Sequence, residues 1–99
     1  MEGYNPDPKT VMFRDITTQM AETYAAKNHD YGNSFSETFE AFGLVSAASR
    51  LMDKMSRIKS YAKICPEAMK VKTESIEDTL LDLANYAVMT LIELRQAKN

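Results

Sequence analysis

Residues 74–94 read ESIEDTLLDLANYAVMTLIEL, and the spacing within this stretch decides the fold. Ile76, Leu80, Leu83, Ala87, Leu91 and Leu94 recur every three or four residues, with no Gly or Pro among them, which predicts an α-helix. Thr73 is a candidate cap for it, with Glu74, Glu77 and Asp78 near its positive end. Leu81, Ala84, Tyr86, Val88, Met89 and Ile92 make much of the remaining circumference apolar as well. A helix apolar nearly all round is surrounded. A few helices from one short chain do not easily surround one of their own, so this helix is expected to meet a second subunit as well.

Polar residues cut one narrow stripe through that apolar helix. At 100° per residue, Glu74, Asn85, Asp78 and Asp82 fall at about 0°, 20°, 40° and 80°, whereas Leu83 and Ala87 fall at about 180° and 220°. Three carboxylates at successive four-residue steps repel one another, and Asp82 sits where little water reaches it. A divalent cation would relieve both costs. Magnesium suits such a site, because it takes hard oxygen ligands and commonly bridges to a substrate phosphate. The plainer alternative has Glu74 and Asp78 balancing the helix dipole while Asp82 pairs with an Arg on a neighbouring helix.

Upstream, Leu44, Ala48, Leu51, Met55, Ile58 and Ala62 step by four and three, a seam for another helix ending near Lys63. The Ile64-Cys65-Pro66 stretch is expected to stop it, with a mixed loop reaching Lys72. On the opposite face lie Arg50, Asp53 and Arg57, with Lys54 beside them. These residues form either a solvated salt-bridge ladder or a phosphate clamp, since the arginine fork matches phosphate oxygens in bidentate fashion. Ser34 and Glu37 are spaced as a capping box for a helix that Gly43 either breaks or packs closely. Phe35, Phe39 and Phe42 read as core. Asp7-Pro8 is expected to open the first helix, whose apolar stripe is Met12 or Phe13, Ile16, Met20 and Tyr24 and whose end lies near Lys27. Asn28 to Asn33 then reads as a loop, rich in residues that accept left-handed backbone angles.

With 99 residues, 44% of them hydrophobic, a net charge of -2 and no repeat, the chain reads as a single all-α domain with residues 1–7 as a flexible tail. So short a chain buries only about two thirds of its unfolded surface, too little to enclose a deep site within one copy. No apolar run approaches the ~18 residues of a membrane span, and no secretory signal is readable. The lone Cys65 allows no intrachain disulfide, which favours a reducing, cytoplasmic location. With 12 basic against 14 acidic residues, a polymeric nucleic acid is not expected as partner. There is no Gly-rich phosphate loop, and no Ser/His/Asp or metal-binding Cys/His pattern. Nucleophilic catalysis is not indicated.

KNHDYGNSF at 27–35, FGL at 42–44, RLMDKMSRI at 50–58 and ESIEDTLLDLANYAVM at 74–89 together resemble the small phage and bacterial proteins of the nucleotide modification associated domain 1 family. That family is similar to the compact, MazG-like nucleoside triphosphate pyrophosphatases. The resemblance implies a small helical bundle of three to four helices completed by homo-oligomerisation, a magnesium site lined by carboxylates, and a phosphorylated nucleotide as ligand. It places Asp30, Tyr31 and Gly32 in a ligand-facing loop, Arg50, Asp53, Lys54 and Arg57 on the middle helix, and Asn85 and Tyr86 beside the carboxylates of the last. The expected activity is pyrophosphohydrolysis, with Glu74, Asp78 and Asp82 as catalytic metal ligands and Arg50, Lys54 and Arg57 neutralising developing charge. Asp78 and Asp82 are four apart where MazG-type enzymes carry an acidic pair three apart. This departure motivates the alternative of a non-hydrolysing sponge that sequesters a host signalling nucleotide.

Overall fold

A computed structural model of the chain describes residues 7–31, 33–63 and 66–97, with the side chains of residues 30–31 and 66–74 excepted. The described residues form four helices and no strand: α1 (Pro8–Tyr31), α2 (Ser34–Phe42), α3 (Leu44–Ala62) and α4 (Pro66–Ala97). The chain divides into two units, Met1–Gly32 and Asn33–Asn99.

In the first unit, Asp7 opens α1 as expected. Its Oδ2 accepts the Thr10 amide at 3.1 Å, its carbonyl accepts the Val11 amide at 3.1 Å, and Pro8 fills the first helical position. The helix does not stop at Lys27. Asn28 to Tyr31 extend it, because such residues cost only a few tenths of a kcal/mol each in a helix. The predicted loop at 28–33 therefore shrinks, and Gly32 lies outside the described residues. The apolar stripe at the start of α1 is bare, with Phe13 69% exposed.

In the second unit, α2 and α3 meet at Gly43, whose φ of 75° and ψ of −160° lie where essentially only glycine is comfortable. Its amide donates to the Phe39 carbonyl at 2.6 Å, and its own carbonyl accepts the Ser46 amide at 3.1 Å and the Ser46 hydroxyl at 2.8 Å. Gly43 thus ends one helix and starts the next. A Cβ added there would meet nothing within 4 Å, so the cost of a side chain is purely conformational. Gly43→Ala is expected to lower the unfolding free energy by about 1–3 kcal/mol, read as a fall in the urea midpoint at unchanged m-value. An unaltered midpoint would refute this account of the corner.

The capping box at Ser34 does not form. Ser34 is already helical, Asn33 flanks it without a side-chain cap, and the Glu37 amide is satisfied by the Asn33 carbonyl at 3.0 Å. Nor does Pro66 begin a loop. It opens α4, since a missing N–H is harmless in a first turn, and the predicted loop to Lys72 and cap at Thr73 give way to 32 helical residues. Consequently Glu74 and Asp78 lie well inside the helix, beyond the first turn over which the dipole acts.

Helices α3 and α4 run antiparallel, Arg50 meeting Tyr86 and Lys54 meeting Asp82. The side of α3 turned inward is Ala47, Leu51, Lys54, Ile58 and Tyr61, rotated by about 60° from the predicted seam. Leu51 and Ile58 belong to both, whereas Leu44, Ala48, Met55 and Ala62 are exposed. Among the described side chains of α4 the best-buried are Thr79 and Thr90, whose hydroxyls donate to the Ser75 and Tyr86 carbonyls at 2.8 and 2.7 Å and so need no other partner. Of the predicted seam, Leu80 and Leu91 lie about 100° further round, one residue past the threonines, whereas Ile76 and Leu83 are half-buried. Leu80, Leu91 and Leu94 remain 46%, 45% and 40% exposed. With Ala84 and Ala87 they step by four and three along one face of α4, a coiled-coil spacing that nothing in the second unit covers fully.

Candidate functional site

Tyr86 is the centre of the one cluster of described side chains that joins α2, α3 and α4. Its ring stacks on Phe35 with centroids 5.9 Å apart and planes inclined by 23°. The Arg50 guanidinium carbon lies 5.8 Å from the Phe35 centroid and 5.6 Å from that of Tyr86, and Nη1 donates to the Tyr86 hydroxyl at 3.4 Å. Lys54 Nζ is 5.9 Å from the Tyr86 ring. Each cation–π contact of this kind is worth about 0.5–1 kcal/mol at an accessible site. Helix α2 is held in place by the Ser36 hydroxyl, which donates to the Glu93 carboxylate.

Spacing explains the convergence. Arg50 and Lys54 are one turn apart on α3, as Asp82 and Tyr86 are on α4, so antiparallel packing brings both pairs together. Lys54 lays its alkyl stem along the packed face, leaving its side chain 13% exposed, and its ammonium reaches Asp82 Oδ2 at 3.2 Å. Arg57 Nε pairs with Asp53 Oδ2 at 3.9 Å on the exposed face of α3, an i,i+4 pair of small energetic weight.

Of the predicted site residues, Arg50, Lys54, Asp82 and Tyr86 come together, with Asn85 half-buried next to Tyr86 in sequence. Asp53 and Arg57 pair with each other, and Asp78 is exposed. Asp30 and Tyr31 form the last turn of α1 rather than a loop. Their side chains, that of Glu74 and the whole of Gly32 lie outside the described residues. Phe35, read from sequence as core, belongs to the cluster instead. Its position at the very start of α2, directly after the KNHDYGNS segment, is the signal that could have found it.

Magnesium is the ion the family resemblance implies, and the described donors do not fit it. The Lys54 ammonium already supplies the positive charge that Asp82 needs, and no group of three or more described His, Cys, Asp or Glu residues could hold a metal. The plainer expectation for Asp82, an ion pair with a neighbouring helix, describes its surroundings, with lysine in place of arginine.

The second unit is thus all-helical, with the cations Arg50 and Lys54 gathered on the aromatic faces of Phe35 and Tyr86. The model of the nucleotide modification associated domain 1 family matches residues 27–94, well over half of the chain. The chain belongs to that family. The match spans α2, α3 and most of α4 and omits most of α1. Neither a curated protein nor a solved structure matches it. No described helix is long and apolar enough to cross a membrane.

Proposed function

We propose that this protein binds a phosphorylated nucleotide on the cluster around Tyr86. The observation that carries the reading is the Arg50 guanidinium lying over the paired rings of Phe35 and Tyr86. Aromatic faces accept a base by stacking, worth about 1–3 kcal/mol per base, and a guanidinium fork meets phosphate oxygens two at a time. Both groups are offered here within one ligand's reach. The ligand would be held without cleavage, as in a sequestering protein, because Asp82 is already neutralised by Lys54.

Self-association is part of the same reading. The stripe of Leu80, Ala84, Ala87, Leu91 and Leu94, exposed at every position but the half-buried Ala84, has the spacing of a helix-pairing seam and would be covered by the same stripe of a second copy. On this view the chain is a compact relative of the MazG-like proteins, all-helical and completed by its own symmetry mates.

A second reading, magnesium-dependent pyrophosphohydrolysis, is supported by Asp78 and Asp82 standing one turn apart on α4, with Glu74 one turn earlier in sequence. Native mass spectrometry of the protein incubated with a nucleotide extract and magnesium separates the two. The expected spectrum carries a mass equal to that of an added nucleotide, and the released ligand is chemically unchanged. A nucleoside monophosphate with pyrophosphate, lost in Asp78→Asn, would establish hydrolysis instead. A spectrum with neither a bound mass nor a cleavage product would sink both readings.

A further inference from the structure

Resting on that reading, the charges around Tyr86 also specify what kind of nucleotide fits. Arg50, Lys54 and Arg57 follow one another along α3, the first two at the Tyr86 ring, and two of the three are already answered: Lys54 by Asp82 at 3.2 Å and Arg57 by Asp53 at 3.9 Å. Arg50 differs. Among the described residues its partners are the Tyr86 hydroxyl and two aromatic faces, and it has no carboxylate. Two carboxylates against three cations leave one positive charge. It lies on a flat, exposed guanidinium over the rings a base would use.

We infer that the ligand presents a base and a single phosphate group to this site, as a nucleoside monophosphate or a phosphodiester-linked nucleotide does, rather than a polyphosphate tail. One phosphate satisfies Arg50 through its bidentate fork. Further phosphates would find cations that are already paired, and would approach the carboxylates of Asp53 and Asp82 that pair with them. Arg50 selects the charge of the ligand, while Phe35 and Tyr86 take its base.

The test is calorimetric titration in chelator-containing buffer of nucleosides, nucleoside monophosphates and nucleoside triphosphates of the common bases. Monophosphates are expected to bind at least about tenfold more tightly than both the matching nucleosides and the matching triphosphates. Arg50→Gln is expected to erase the difference between nucleoside and monophosphate. Asp82→Asn frees the Lys54 ammonium and is expected to shift preference toward the triphosphate by about tenfold. Asp53→Asn, on an exposed pair that carries no packing, frees Arg57 and shifts it the same way should the first variant fold poorly. Affinity that rises with each added phosphate in the native protein would overturn this inference and leave the nucleotide reading standing. Absence of binding by every member would overturn the reading itself.

Discussion

Leu91→Glu is expected to leave a species of 11.2 kDa in sedimentation velocity, where the native chain is expected to run at a multiple of that mass. Leu91 lies within the bare stripe of α4, between Ala87 and Leu94 and 45% exposed in the single chain. Fully burying a leucine contributes about 1.5–3 kcal/mol, and three leucines repeat along the stripe on each copy. Placing a carboxylate in their midst removes one such contribution and adds the cost of desolvating a charge without a partner. A combined loss of about 4 kcal/mol weakens association roughly a thousandfold. Because Leu91 is already 45% exposed in the single chain, the separated chain should keep its helical circular dichroism. Gln96→Glu adds the same charge off the stripe and should leave the sedimenting mass unchanged. Native protein that already runs at 11.2 kDa would refute the seam.

The second large effect is expected at Tyr86, where substitution separates ring from hydroxyl. Tyr86→Leu removes the stack on Phe35 and the face used by both Arg50 and Lys54. Taking about 0.5–1.5 kcal/mol for the aromatic pair and about 0.5–1 for each cation contact, a loss near 2 kcal/mol is expected in urea unfolding. Nucleotide affinity should fall at least about tenfold, since a base loses its platform. Tyr86→Phe keeps the ring and gives up only a 3.4 Å hydrogen bond. It should stay within about 0.5 kcal/mol of the native stability and retain binding. Equal losses in both variants would assign the role to the hydroxyl, and neither loss would remove Tyr86 from the site.

How far these residues were legible in the sequence depended on what each expectation needed. Helices were readable wherever a three- and four-residue period ran, and the Asp7-Pro8 start of α1 needed only local capping chemistry. Ends were harder. Asn28 to Tyr31 and Pro66 to Lys72 are equally compatible with a turn and with extra helical turns, and the balance is a few tenths of a kcal/mol per residue. Gly43 was visible as a corner or a packing point, and its backbone angles decided for the corner.

The choice of inward side was not legible. On α4, a leucine stripe and a stripe bearing Thr79, Tyr86 and Thr90 compete to meet α3, and hydrophobicity alone favours the leucines. The packed structure takes the other, because the threonine hydroxyls are satisfied by the helix's own carbonyls and because Lys54, Arg50 and Phe35 match Asp82 and Tyr86. That same choice moved Phe35 from presumed core into the candidate site and left the leucines for another surface.

By itself, then, the sequence determined what depends on neighbours along the chain: an all-helical fold, the apolar excess of residues 80–94, and arginine and carboxylate residues one turn apart on two helices. Tertiary structure decided which of those residues meet. A period of 3.6 residues places side chains on the circumference of a helix but says nothing of how that helix is rotated against its neighbour. Rotation is set by ring contacts between residues as far apart in sequence as Arg50 and Tyr86, and by the ion pair of Lys54 with Asp82.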